Sequence, residues 1–109
     1  MTEADIYPRL SALAAGNVFP YVAPQGTSAP WVIYLLPSSA GEDVFCGPAE
    51  TANTVQVDAW ASSIDEARAL RNQVKAALAD LHPVGLNEIN DYEPDTGLYR
   101  ATLEVQIWQ

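Results

Sequence analysis

The stretch "YEPDTGLYRATLEVQIWQ", residues 92–109, decides the fold. From Tyr99 onward its apolar and polar side chains alternate, which is typical of a β-strand with one buried face. The face predicted to be buried consists of Tyr99, Ala101, Leu103, Val105 and Ile107. The opposite face ends in Trp108, so a large apolar side chain is predicted to point away from the core.

Two further segments are predicted to be strands. Residues 54–61, "TVQVDAWA", alternate in the same way, with Val57 directed inward and Asp58 and Trp60 outward. Residues 31–36, "WVIYLL", are continuously apolar, which favours a strand buried on both faces. The pattern leaves open which of that strand's faces meets the core: one carries Trp31, Ile33 and Leu35, and the other Val32, Tyr34 and Leu36.

Two helices complete the predicted fold. Residues 63–81 begin with a capping box of Ser63 and Glu66 and carry a long apolar stripe. Residues 2–17 are predicted to form a helix with Thr2 as N-cap. Pro8 is expected to lie in the first turn of this helix, or else the helix begins near Pro8. Residues 82–91 indicate at most a weak strand, and residues 37–53 a long mobile loop. The prediction is a single α+β domain over residues 1–109: a two-layer sandwich whose mostly antiparallel sheet of four or five strands carries both helices on one face.

The charge of the chain excludes some functions. Its formal net charge is -9, from 14 acidic residues against five basic ones, and no basic residue occurs between positions 10 and 67. Without a basic stripe to neutralise phosphates, specific binding to nucleic acid is not expected. No segment approaches the roughly 18 apolar residues that a membrane-spanning helix needs, so no membrane association is predicted.

Motifs for catalysis or metal binding are absent from the sequence. Asp91, Glu93 and Asp95 alternate like the start of a calcium-binding loop, but Thr96 and Thr102 occupy the positions where that loop needs glycine and glutamate. The alternative, a polar turn before the last strand, is favoured. There is no glycine-rich phosphate loop, no metal-spaced His/Cys set and no nucleophile elbow. The chain is therefore predicted not to be an enzyme and to hold no cofactor or metal.

The aromatic residues predict a protein interface. Helices on one face would leave the other face of the sheet uncovered, and large apolar side chains on an exposed sheet face mark protein contacts. The predicted subunit or partner interface consists of Trp31, Tyr34, Trp60 and Trp108, with Phe45 in the long loop as an additional anchor.

Three blocks of sequence then carry a resemblance to a known family. They are "FPYVAPQGTSAPWVIYLL" (residues 19–36), "VQVDAWASSIDEARALRNQVKAAL" (residues 55–78) and residues 92–109 quoted above. In this order and spacing, the chain resembles the tail-completion (tail-terminator) proteins of long-tailed bacteriophages.

The resemblance implies a structural virion protein without cofactor or catalytic residue. Such proteins form rings, usually hexameric, that end the tail tube and join it to the head connector. The implied partners are further copies of the chain, the tail tube protein and a head-connector or stopper protein, and the implied location is the head–tail junction of a particle assembled in the bacterial cytoplasm. Phage, prophage and gene-transfer agent stay open. So do two alternatives: a head-closure connector protein, and a non-viral dimeric binding module of similar fold.

A joining ring would have to let DNA pass without binding it, so its bore is predicted to be acidic. The acids expected to line the bore are those without a basic residue nearby in sequence: Glu42, Asp43, Glu50, Asp58, Glu88 and Asp91. Three bases of the long helix, Arg68, Arg71 and Lys75, are expected to face outward or to pair with a neighbouring subunit.

Overall fold

The computed structural model describes residues 1–41 and 51–109. In chain order its elements are helix α1 (Glu3–Leu10), a 3₁₀ turn (Leu13–Gly16), strands β1 (Val18–Pro20), β2 (Trp31–Gly41) and β3 (Thr51–Ala61), helix α2 (Ile64–Leu78), a second 3₁₀ turn (Ala79–Leu81), and strands β4 (Val84–Glu93) and β5 (Leu98–Trp108).

The strands form one sheet in the order β1-β2-β3-β5-β4. The short β1 runs parallel to β2, and the other neighbours are antiparallel. Helix α2 packs on β3 and β5, and α1 packs beside it over β1 and β2, so both helices cover the same face. The predicted two-layer α+β sandwich is confirmed.

The core lies between this sheet face and the helices. The inward positions of β5 are buried from Ala101 to Ile107, as the alternation predicts, and Val55, Val57 and Ala59 of β3 lie beside them. Helix α2 contributes a stripe of buried side chains: Ala67, Leu70, Val74 and Leu78. Each large aliphatic side chain buried here is worth about 1.5–3 kcal/mol.

Helix α2 begins where the sequence predicts. Ser63 is its N-cap, and the Ser63 hydroxyl accepts a hydrogen bond from the Glu66 backbone N–H at 3.1 Å. After the second 3₁₀ turn, His82 adopts a left-handed conformation with φ of 52° and ends the helical segment. The chain is thereby turned back toward the sheet at the start of β4.

Helix α1 is shorter than predicted. Thr2 is its N-cap, and the Thr2 N–H bonds to the Asp5 carboxylate at 2.8 Å. Pro8, however, lies inside the helix rather than in its first turn, so the helix lacks one interior N–H donor and ends two residues later. Ala14 and Ala15 have positive φ angles, which breaks the helical path that the sequence predicts through Gly16.

The prediction of a long loop over residues 37–53 is also wrong at both ends of that range. β2 continues to Gly41 and β3 starts at Thr51, with Ser38 paired to Thr54 and Gly41 to Thr51. These residues are small or polar, so the strand shows no apolar alternation there, and a register shift between Leu35 and Ser38 interrupts what pattern exists. Of the predicted site residues, Glu42, Asp43, Phe45 and Glu50 lie outside the described residues.

Strand β4 is stronger than predicted. It extends over ten residues along β5, with a register shift between Val84 and Asn87. The sequence gives little sign of it because β4 is the edge of the sheet and nearly all of its side chains are exposed, so burial imposes no alternation.

Candidate subunit and partner interfaces

The outer face of the sheet, the face opposite the helices, carries a row of four side chains. Trp31, Trp60, Arg100 and Asp91 come from β2, β3, β5 and β4 and are paired in register across the sheet. The Trp31 and Trp60 rings stack with centroids 6.0 Å apart. The Arg100 guanidinium lies 5.6 Å from the Trp60 ring centroid, and its Nη2 is 2.8 Å from Asp91 Oδ2. The row therefore ends at β4 with the Arg100–Asp91 ion pair.

Trp108 lies on the same outer face but far from this row. It pairs with Ala52 at the opposite end of the sheet. Eight residues of β5 separate it from Arg100, which corresponds to roughly 27 Å. Its side chain is 43% exposed, whereas Trp31 and Trp60 are half-buried. The predicted aromatic interface therefore divides into a stacked pair at one end and a single tryptophan at the other.

Tyr34 is not on this face. It is 3% exposed and belongs to the core under the helices, with its ring 6.2 Å from that of Tyr7. Burial raises the pKa of its hydroxyl. The face of β2 that the sequence left open is settled by this packing: Val32 and Tyr34 face the helices, so Trp31 and Ile33 face outward. The prediction that Tyr34 belongs to the interface does not fit this fold, because its side chain is buried in the core of the subunit.

Asp58 lies on the outer face but is buried. It is only 7% exposed, and its Oδ1 accepts a 2.6 Å hydrogen bond from the Thr102 hydroxyl, its partner across the strands. The Gln56 amide donates to the same carboxylate at 3.3 and 3.4 Å. Asp58 therefore does not present a free charge to a bore, because neighbouring side chains cover it.

A cleft of about 310 Å³ opens above Asp58. We call it the Asp58 cleft; its walls are Trp31, Ile33 and Trp60, and its rim is formed by Tyr21, Val22 and Ala23. The rim residues follow β1 and hold their place through a 3.0 Å hydrogen bond from the Tyr21 N–H to the Tyr34 carbonyl.

Glu88 is held in an ion pair rather than left free. Its carboxylate lies 2.7 Å from Lys75 Nζ and 3.6 Å from Arg71 Nη2, both on α2. The hydrogen bond from Lys75 and the charge of Arg71 lower the pKa of Glu88. Arg71 is itself buried and donates to the Asn90 side chain at 2.8 Å.

These contacts correct two assumptions on which the predicted acidic bore rests. Glu88 and Asp91 were expected to lack nearby bases, yet each has one within 3 Å. Arg71 and Lys75 were expected to face outward or to pair with a neighbour, yet they pair within the chain. The sequence could not show this because α2 meets Glu88 only in the fold, and Asp91 meets Arg100 only through the register of β4 with β5.

The β4 edge is the surface that sequence reasoning missed. Four large apolar side chains on this strand are between 45% and 50% exposed: Val84, Leu86, Ile89 and Tyr92. Their aliphatic and aromatic character is visible in "PVGLNEINDY", but only the position of β4 at the edge shows that they are uncovered. They lie on both faces of the strand, since Ile89 is paired with outward-facing Thr102 and Tyr92 with inward-facing Tyr99. A long exposed strand edge with apolar side chains is a template for pairing with another chain.

The remaining predicted features are simple. The residues 94–97 form a turn in which Gly97 has a φ of +71° and its N–H bonds to the Glu93 carbonyl at 2.9 Å. Within residues 1–41 and 51–109, no three His, Cys, Asp or Glu side chains are grouped as a metal site would require. Over the same residues, no helix has both the length and the apolar character that crossing a membrane demands.

Comparison with protein families decides the identity. A family model described as "Tail completion protein gp17" matches residues 6–109, almost the entire chain. The chain belongs to this family. It is therefore a structural protein of a phage-type tail, as the resemblance of its three sequence blocks implies.

A solved structure has the same fold as this tail completion protein. A chain from a structure titled "Virion of native gene transfer agent (GTA) particle" superposes with a TM-score of 0.72 over 95% of this chain and 92% of the other. The two sequences are 17% identical, so the likeness concerns the fold. No curated protein matches the sequence.

Proposed function

We propose that the chain forms a closed ring, six copies in the form that the family resemblance implies, which ends the tail tube and joins it to the head connector. Membership of the tail completion family supports the tail location. The observation that carries ring formation is the uncovered β4 edge.

The β4 edge favours assembly because it is long and exposes large apolar side chains. All ten residues from Val84 to Glu93 form an outermost strand, so one row of backbone N–H and C=O groups has no strand partner in the described chain. Monomeric proteins protect such edges with charge, proline or a covering segment. β4 does carry three acidic residues, Glu88, Asp91 and Glu93. Leu86, Ile89 and Tyr92 are nevertheless about half exposed, as large apolar side chains of a contact surface are.

The opposite edge of the sheet offers a different surface. β1 pairs with only Val32, Ile33 and Tyr34, so β2 has no described strand partner on that side beyond Tyr34. Tyr21 is 54% exposed and Val22 74%. A contact between this edge and the β4 edge of another copy joins unlike surfaces, and contacts of that kind produce rings when the rotation closes.

The charge of the chain suits a channel for DNA. With a net charge of -9 per copy, six copies carry about fifty-four negative charges, which repel phosphates within a Debye length of about 8 Å. Asp58 is covered, and Glu88 and Asp91 are ion-paired within the chain, so these three acids add less to such a channel than free carboxylates would. The proposal for Glu42, Asp43 and Glu50 stands on sequence alone, as does that of Phe45 as an anchor for a neighbouring tail or connector protein.

Reconstitution of joining tests this function. Tails assembled without the protein would be mixed with DNA-filled heads, with and without purified protein, and joined particles counted by electron microscopy. We expect joining to depend on the protein and to fail with a Leu86→Lys/Ile89→Lys variant. Equal joining in its absence would overturn the proposal. Protein that binds isolated heads but never tails would support the alternative of a head-closure connector protein, and a stable dimer with no affinity for either would support a non-viral binding module.

A further inference from the structure

We propose that the Asp58 cleft binds an arginine side chain presented by another protein of the particle. This contact adds to ring closure and rests on the proposed function only for the presence of a neighbouring tail or head protein. The argument has three parts: a buried carboxylate without a counter-charge, aromatic walls, and a shortage of free bases in the chain itself.

The carboxylate of Asp58 lacks a cation. It is 93% buried, and its partners are the neutral Thr102 hydroxyl at 2.6 Å and the neutral Gln56 amide at 3.3 and 3.4 Å. None of the ion pairs among the described residues involves it. Buried charges in proteins are normally paired because an isolated one is costly. A cation entering the cleft from outside would supply the missing partner.

The walls of the cleft fit a planar cation. Trp31 and Trp60 stand beside Asp58 on adjacent strands, and Ile33 is paired directly with Asp58. A guanidinium can stack on an aromatic ring while donating two N–H groups to a carboxylate, which an ammonium cannot do. The same surface already holds one such contact, since the Arg100 guanidinium lies 5.6 Å from the Trp60 centroid.

The arginine is assigned to a different protein because this chain has few bases to offer. Arg9 pairs with Asp80, Arg71 and Lys75 with Glu88, and Arg100 with Asp91. Among the five bases of the sequence, Arg68 is the one that these ion pairs leave out. It lies on α2, in the layer on the opposite side of the sheet from the cleft.

A peptide titration tests the proposal on the full chain, both assembled and as the monomeric Leu86→Lys/Ile89→Lys variant, because Tyr21 and Val22 of the cleft rim also belong to the edge proposed to contact another copy. The probe is the blocked tripeptide acetyl-Gly-Arg-Gly-amide, and the control is the same peptide with citrulline, which keeps the planar shape without the charge. Tryptophan fluorescence reports binding through Trp31 and Trp60. We expect saturable binding of the arginine peptide, at least about tenfold weaker binding of the citrulline peptide, and a similar loss in Asp58→Asn.

Several outcomes would overturn the proposal. They are equal binding of the arginine and citrulline peptides, full binding by Asp58→Asn, and equally tight binding of a lysine peptide, which would show that no guanidinium is recognised. If Asp58→Asn does not fold, the citrulline comparison on the unchanged protein and the weaker binding expected of Trp31→Leu decide instead.

Light scattering on the same samples separates this proposal from ring formation. We expect Asp58→Asn to keep the mass of the unchanged protein. A variant that falls to monomers would show that the occupant is a neighbouring copy and would overturn the assignment to another protein. An unchanged protein that is itself monomeric would contradict the ring, while the peptide titration would still decide the cleft.

Discussion

Trp31 and Trp60 face each other across β2 and β3, with ring centroids 6.0 Å apart and ring planes inclined by 28°. Each ring therefore shields part of the other from solvent, and Arg100 shields Trp60 further. Trp108, the tryptophan on the same face at the far end, has no such neighbour among the aromatic contacts of the described residues and is 43% exposed. The face thus holds one tryptophan pair that contributes to the stability of the subunit and one tryptophan available for contact.

This difference predicts unequal effects of the same substitution. Trp60→Ser removes the stacking partner of Trp31 and the ring under Arg100, so we expect the free energy of unfolding to fall by about 1–3 kcal/mol. Trp108→Ser should change it by less than about 0.5 kcal/mol, since the side chain is largely in solvent. Urea unfolding followed by circular dichroism measures both. Trp60→Phe, which keeps an aromatic ring, is the matched control and should lose less than Trp60→Ser; equal losses for Trp60→Ser and Trp108→Ser would contradict the stacked arrangement.

Two variants with opposite blocked edges test whether subunits join head to tail. Leu86→Lys/Ile89→Lys places charge on the β4 edge, and Val22→Lys places it beside β1. Each variant alone should be monomeric, because a lysine opposes burial at the contact. Mixed together, they should form a one-to-one dimer, since each keeps one intact edge, and light scattering measures its mass.

A control for both variants is Ala76→Lys, which adds the same single charge as Val22→Lys, but on the exposed side of α2. It should assemble like the unchanged protein. A Val22→Lys variant that stays dimeric through two β4 edges would show an isologous contact and would rule out the head-to-tail arrangement.

The ion pairs of Glu88 with Lys75 and Arg71 predict that the stability of the fold depends on pH. Hydrogen bonding from Lys75, together with the charge of Arg71, lowers the pKa of Glu88 in the folded state. A carboxyl with a lowered folded pKa contributes stability above its unfolded pKa, near 4.5, and this contribution is lost as pH falls through the folded value. The free energy of unfolding should therefore fall as pH drops below about 4.5.

Glu88→Gln should make that fall shallower, because it removes the titrating group. Lys75→Gln should act in the same direction to a smaller extent, since Arg71 still faces Glu88 at 3.6 Å. Unfolding curves between about pH 3 and 6 measure the slopes. Identical slopes for the unchanged protein and Glu88→Gln would show that the ion pair does not contribute.

The strands and helices could be predicted from sequence wherever burial of one face makes apolar residues recur at regular spacing. The alternation from Tyr99 to Ile107 and the capped stripe of α2 follow directly from which side chains are removed from water, and both are confirmed. β4 was predicted only as a weak strand, and the ends of β2 and β3 next to residues 42–50 were missed, because edge strands and small polar residues carry no such period.

The candidate sites were harder to predict because they depend on contacts between distant segments. Trp60 could be placed on the outer face by parity, but its stacking on Trp31 needs the register of β2 and β3. Whether Tyr34 or Trp31 faced the helices could not be decided within "WVIYLL", where both faces are apolar. Glu88 pairs with bases of α2 and Asp91 with Arg100 of β5, so counting nearby bases in sequence missed these partners.

The mass and symmetry of the purified protein test the central claim most directly. Light scattering coupled to size exclusion, followed by averaging of negative-stain images, determines both at once. The account predicts a closed ring with a central opening and a mass six times the 11.8 kDa of one chain. A monomer, or a two-fold dimer without an opening, at concentrations where the protein completes tails would contradict it.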